Sequence, residues 1–228
     1  MKLEPFFAPT SQAEGNEGTL SDMINADTGT NTLGWFEKYT NRIDVEAGET
    51  GHGTDGSDYM IGGEGSDTTN LYGGAGDDFI IGGGPSFTTI DGGDGNDTIL
   101  IRKGAWITNA HGGDGDDVII LNADQSTEAG FANLYGGEGS DTFVITGPGS
   151  KGAGQAIRDF DADDSIIIDL EGFGISSSDE LRFEWMGSTH WITANGHKVI
   201  AIQGVDETHD IMQQIRELTP QQSQGWGL

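Results

Sequence analysis

The sequence predicts an all-β fold built from short stacked repeats. Three observations carry this reading. Gly-rich hexapeptides ending in Asp recur between residues 53 and 141, and a short β-prone piece follows most of them. Their first residues also fall at regular spacings, the mark of a repeat architecture.

The loops read Gly53-Thr54-Asp55-Gly56-Ser57-Asp58, Gly62-Gly63-Glu64-Gly65-Ser66-Asp67 and Gly73-Gly74-Ala75-Gly76-Asp77-Asp78. They continue with Gly92-Gly93-Asp94-Gly95-Asn96-Asp97, Gly112-Gly113-Asp114-Gly115-Asp116-Asp117 and Gly136-Gly137-Glu138-Gly139-Ser140-Asp141. One more, Gly82 to Phe87, keeps the opening glycines but places Phe87 where the Asp belongs. The pieces Tyr59-Met60-Ile61, Phe79-Ile80-Ile81, Thr98-Ile99-Leu100, Val118-Ile119-Ile120 and Thr142-Phe143-Val144 supply the strands. Six loops with Asp at the same place, each followed by apolar residues, make a specific signal.

This pattern resembles the G-G-x-G-x-D-x-U-x nonapeptide of the RTX (repeats-in-toxin) family, which implies a right-handed, calcium-loaded parallel β-roll over residues 51–145. A roll coil has two loops and two strands, so alternate loops stack on one edge. Loops starting at 53, 73, 92, 112 and 136 are spaced by 20, 19, 20 and 24 residues, about one coil each. The opposite edge carries the motif only at 62, so a single calcium-binding edge is expected. In this register Met60, Ile80, Ile99, Ile119 and Phe143 form one inward row, facing Leu71, Ile90, Ala110 and Leu134, because strand side chains alternate between faces. With coils about 4.8 Å apart, so narrow a core is expected to need metal for stability.

Glycine permits tight loops and close approach of the backbone to an ion. Calcium takes 6 to 8 oxygens in flexible geometry, whereas magnesium demands a near-ideal octahedron, and an all-oxygen set argues against zinc or copper. The resemblance implies about four ions or more, between loops 53/73, 73/92, 92/112 and 112/136. Their carboxylates would come from Asp58, Asp78, Asp97, Asp117 and Asp141. Carbonyls would come from the loops' first four residues: Gly53, Thr54, Asp55 and Gly56; Gly73, Gly74, Ala75 and Gly76; Gly92, Gly93, Asp94 and Gly95; Gly112, Gly113, Asp114 and Gly115; Gly136, Gly137, Glu138 and Gly139. Asp67 stands alone on the other edge. A phosphate-cradling role for the glycines fails, because no Lys follows them and the aspartates repel anions.

The flanks differ. Residues 146–228 have fewer glycines and longer apolar runs. The order Asp141-Thr142-Phe143-Val144-Ile145, Ile157-Arg158-Asp159-Phe160, Asp164 to Leu170 resembles the segment closing the roll in serralysin-type proteases, with Ser165 in place of the usual Lys. Asp159, Asp161, Asp163, Asp164 and Asp169 suit either another ion or an acidic turn. Glu180 to Trp185, His190 to Thr193 and Lys198 to Gln203 read as antiparallel strands, with turns at Gly187 and Asn195-Gly196. Asp206 to Leu218 reads as a short helix with Ile211, Ile215 and Leu218 on one face. The resemblance makes this region a β-rich cap carrying an export signal. In residues 1–50 Leu20 to Ala26 suits a helix turn, and Phe6, Phe7, Trp35, Phe36 and Tyr39 are expected to cover the open roll end.

Composition bounds the function. Lys plus Arg number 10 against 38 Asp plus Glu, a formal charge of -28. Glycines number 39 of 228 residues, more than twice the roughly 7% of average usage. Such a chain has no affinity for nucleic acid or an anionic membrane surface. It has no apolar run near the roughly 18 residues of a membrane span. It has no Cys, which excludes disulfides, thiolate metal sites and Cys nucleophiles. Met1-Lys2-Leu3-Glu4-Pro5 lacks a basic segment followed by an apolar one, so no cleaved secretion signal is expected there.

No H-E-x-x-H occurs, and the five histidines are scattered. Arg102, Lys103, Lys151 and Arg158 are too few for a polyanion cleft. The expectation is therefore a non-enzymatic calcium-binding protein, secreted from a bacterium by type I machinery to the exterior or cell surface, and folding on calcium there. Two alternatives are an adhesive module using the outward row Asn70, Thr89, Asn109 and Asn133 on a carbohydrate or other surface ligand, and a polysaccharide-acting enzyme of β-helix type.

Overall fold

The computed structural model describes residues 38–63, 65, 67–82, 87–102, 107–122, 131–147 and 154–222. The expectations for Phe6, Phe7, Leu20 to Ala26, Trp35 and Phe36, and for Lys103 and Lys151, lie outside these. Among the described residues no helix is long and apolar enough to cross a membrane.

Two sheets wind as a parallel β-solenoid. The first contains β1 (Asn41–Val45), β3 (Asp58–Gly62), β5 (Phe79–Gly82), β7 (Thr98–Ile101), β9 (Val118–Asn122), β11 (Thr142–Thr146), β13 (Ser165–Ile168) and β17 (Ile215–Glu217), in that order and all parallel. The second runs β2 (Thr50–His52), β4 (Thr69–Ala75), β6 (Phe87–Asp94), β8 (Ile107–Asp114), β10 (Phe131–Glu138), β12 (Gln155–Ile157) and β16 (His197–Ile202), also parallel. The parallel ladders thus extend past 51–145 on both sides, because strands without a glycine motif pair onto the stack as readily as those with one.

Both inward rows hold their register. Met60, Ile80, Ile99, Ile119 and Phe143 are partners in sequence and fully buried, and the row continues to Ile166 and Ile215. Leu71, Ile90, Ala110 and Leu134 do the same and lead to Ile157 and Ile202. All belong to one core cluster.

The first sheet is buried on its other face as well. Tyr59, Phe79, Ile81, Leu100, Val118, Ile120, Val144 and Ile167 form a second cluster, with Tyr39, Ile61 and Leu218 packed against it. Tyr39 lies 6.1 Å from the Tyr59 ring and 6.2 Å from Phe79, so the one described member of the expected aromatic cover packs on this outer face rather than over the open end. Continuous apolar runs such as Phe79-Ile80-Ile81 reflect this, since a strand buried on both faces does not alternate.

Beyond β16 the second sheet turns antiparallel, with β15 (His190–Ala194) and then β14 (Arg182–Trp185). Asn195 at φ 51° and Gly196 at φ 74° make the tight turn that Asn-Gly favours. The helix expected over Asp206 to Leu218 is a correction. Only Ile211–Gln214 is helical, as one 3-10 turn, and Ile215–Glu217 pair with β13. The apolar spacing was real, but a free strand edge and β-branched residues favour pairing over helix. A short helix does follow, starting at Pro220. Thr219 caps it, with Thr219 Oγ1 accepting from Gln222 N and Gln222 Oε1 from Thr219 N, a reciprocal capping box.

Truncating the central core residue, Ile99→Ala, is expected to destabilise the calcium-saturated protein by about 2–5 kcal/mol, measured by denaturant unfolding. The exposed Met186→Ala is expected to stay within about 0.5 kcal/mol.

Candidate metal centre

The loops after β2, β4, β6, β8 and β10 stack on one edge, as the spacing required. Gly74, Gly93, Gly113 and Gly137 are consecutive partners. Gly93 has φ 112°, and a Cβ there would sit 2.0 Å from the Gly74 carbonyl oxygen, so both conformation and space demand glycine.

The terminal aspartates form a ladder. Asp58 N donates to Asp78 Oδ1 at 2.7 Å, Asp78 N to Asp97 Oδ1 at 2.7 Å and Asp97 N to Asp117 Oδ1 at 2.7 Å. Asp117 N donates to Asp141 Oδ1 and Asp141 N to Asp164 Oδ1, both at 2.9 Å. Asp164, which follows no glycine loop, thus takes the sixth rung. A second ladder runs the other way, one residue earlier in each loop. Asp77 N donates to Ser57 Oγ, Asn96 N to Asp77 Oδ1, Asp116 N to Asn96 Oδ1 and Ser140 N to Asp116 Oδ1, at 2.8–3.1 Å.

Each rung carboxylate has a second oxygen. Asp78, Asp97, Asp117 and Asp141 are each 1% exposed, and their Oδ2 atoms have no hydrogen-bond partner. A buried charged oxygen without a partner is costly. Beside each lies a small space lined by oxygen. A Cβ on Gly73 would meet Asp78 Oδ2 at 2.2 Å and the Gly92 carbonyl at 2.4 Å. Gly92 repeats this with Asp97 Oδ2 and the Gly112 carbonyl, and Gly112 with Asp117 Oδ2 and the Gly136 carbonyl. A Cβ on Gly136 would meet Asp141 Oδ2 at 2.0 Å. Among the described residues no three acidic or His side chains converge, so an ion here must draw most ligands from backbone carbonyls. Glycine-lined carbonyls with one hard carboxylate oxygen per coil fit calcium.

The other expected residues sort clearly. Asp55, Asp94, Asp114 and Glu138 turn exposed side chains outward, while the Asp94, Asp114 and Glu138 carbonyls accept from Gly76, Gly95 and Gly115 N. Asp58 has both oxygens bonded, to Asn41 Nδ2 and to Thr54 N and Oγ1. Asp67 is exposed, beside Gly48 and away from the ladder. Asp159 accepts from Gly136 and Gly137 N, and Asp169 from Gly172 and Gly147 N, so both hold backbone. The outward polar row is also bonded internally, with Asn133 donating to Asn109 and Arg158 to Asn133.

Burial, reinforced by neighbouring carboxylates, pushes Asp78 and Asp141 up to about 7, Asp117 to about 8, and Asp97 and Asp164 to about 6. Between the unfolded value near 4 and these values the folded chain binds more protons than the unfolded one. Without metal, stability therefore falls as pH rises from about 4 to 8. Metal-free protein followed by circular dichroism is expected to lose β signal over that window, and calcium is expected to restore it at pH 8. A metal-free β signal that grows with pH contradicts this assignment.

The RTX calcium-binding nonapeptide repeat matches the chain in four copies, over residues 47–70, 52–84, 89–100 and 109–127. No individual curated protein matches it. The matched copies cover the loops ending in Asp58, Asp78, Asp97 and Asp117 on the ladder edge, and the loop ending in Asp67 on the other. The chain carries RTX, hemolysin-type calcium-binding repeats, wound as a parallel β-roll.

Proposed function

We propose that this protein is exported unfolded by type I secretion machinery from a bacterium and folds when it meets calcium outside the cell, and that its folded roll has no catalytic role. The observation that carries this reading is the set of four buried Oδ2 atoms without partners, in a chain of formal charge -28. Without dications the aspartates repel one another as the coils close. Calcium supplies the charge compensation that this chain's 10 basic residues cannot.

Magnitudes support a calcium switch. Extracellular modules bind calcium at about 0.1–1 mM. An ion at ten times its dissociation constant stabilises the folded state by about 1.4 kcal/mol. Four such ions add about 6 kcal/mol, comparable to the whole net stability of a domain, about 5–15 kcal/mol. In the low-calcium cytosol that contribution is missing, which suits a chain that must stay expanded for export. His52 and His111 stack on Tyr72 and Tyr135, and His190 Nε2 meets the Asp206 carbonyl oxygen, so these three have structural partners.

Chelator-treated protein titrated with calcium is expected to gain β signal cooperatively, and magnesium at equal concentration is not. Asp97→Ala is expected to raise the calcium midpoint several-fold, with Asp67→Ala leaving it unchanged. Equal effects overturn the one-edged reading. Co-expression with a type I exporter is expected to move the protein into the medium; retention in the cytoplasm of exporter-bearing cells argues against the secretion route.

A further inference from the structure

The first rung is built unlike the next four. In the loops from 73, 92, 112 and 136 the second and fourth residues are glycines at positive φ: Gly74 and Gly76, Gly93 and Gly95, Gly113 and Gly115, Gly137 and Gly139. In the first loop the second residue is Thr54, and neither Thr54 nor Gly56 adopts positive φ. A β-branched residue at φ > 0 is a genuine outlier, so Thr54 turns the loop onto another path. Its amide then donates to Asp58 Oδ2 at 2.6 Å and its hydroxyl to the same atom at 3.0 Å. Gly56 N, whose counterparts reach across to the next loop, donates to Thr54 Oγ1 at 3.2 Å instead.

The remaining oxygen is closed from the other side. Asn41 is the register partner of Asp58 and so occupies the rung before it, with no glycine loop of its own. Asn41 Nδ2 donates to Asp58 Oδ1 at 2.6 Å. Asp58 is fully buried with three donors on its two oxygens, whereas Asp78, Asp97, Asp117 and Asp141 each keep one oxygen unpartnered.

We propose that Asn41 and Thr54 make the first rung a metal-free seal, in which protein donors take the place of the ion, and that calcium loads only the rungs of Asp78, Asp97, Asp117 and Asp141. This rests on the calcium reading above and departs from the motif, which would assign Asp58 the same role as its neighbours. One end of the roll is then complete without calcium.

The test counts calcium bound per chain at saturation, by equilibrium dialysis and native mass spectrometry on the full chain, with circular dichroism reporting folding. Asp58→Asn is expected to leave the count unchanged, Asp78→Asn to lower it by one, and Thr54→Gly to raise it by one. A lost ion in folded Asp58→Asn, or no gain in folded Thr54→Gly, overturns the seal. If Thr54→Gly does not fold, the contrast between Asp58→Asn and Asp78→Asn decides alone. An unmodified chain that binds no calcium overturns the calcium reading itself, a result distinct from either failure of the seal.

Discussion

A carboxylate tied at one oxygen and left open at the other is the interaction on which this roll depends. Asp78, Asp97, Asp117 and Asp141 each accept the backbone amide of the preceding coil's rung residue through Oδ1, which fixes the carboxylate plane. That constraint presents Oδ2 to the space beside the loop's first glycine. The same bond that welds one coil to the next therefore also creates the demand for a cation. Burial makes the demand strong, as the raised proton affinities of Asp78, Asp117 and Asp141 record.

The two side-chain ladders of the loop edge run in opposite directions, so each coil both donates to and accepts from its neighbour on either side. Every interior coil is then held by its neighbours and by little else. Stability in such arrays is close to a sum of nearest-neighbour interfaces, and here the interfaces from Asp58–Asp78 to Asp117–Asp141 each contain a buried carboxylate oxygen without a protein partner. The sheet opposite the polar row adds apolar support on both of its faces.

Much of this was legible in the residues. The glycine spacing set the coil length and the choice of loading edge, because both follow from counting residues around a coil. The inward rows were legible because side chains alternate. The second buried face was not recognised, although the runs at Phe79-Ile80-Ile81 and Val118-Ile119-Ile120 carry its signal. Asp164 and Asn41 stayed hidden as rungs because neither follows a glycine loop, and only strand register places them. At Asp58 the motif misleads about local structure, since Thr54 in a glycine's place brings its amide and hydroxyl onto Asp58 Oδ2. The segment ending at Leu218 shows pairing overriding helical spacing, whereas Thr219-Pro220-Gln221-Gln222 held a capping signal in plain view.

The overhang of the second sheet has a consequence for the molecule among its own copies. A parallel solenoid with two flush ends is a building block for head-to-tail fibres, since each end strand continues the other's ladder. Among the described residues β1 and β2 start the two sheets together, but at the other end the second sheet runs through β15 and β14 to nine strands, whereas the first stops at β17 with eight. The one extra strand makes a step of about 5 Å at the usual spacing of about 4.8 Å. A second roll brought against that step can engage one sheet and must leave the other unmet, so the shape of the tail itself keeps the stack finite.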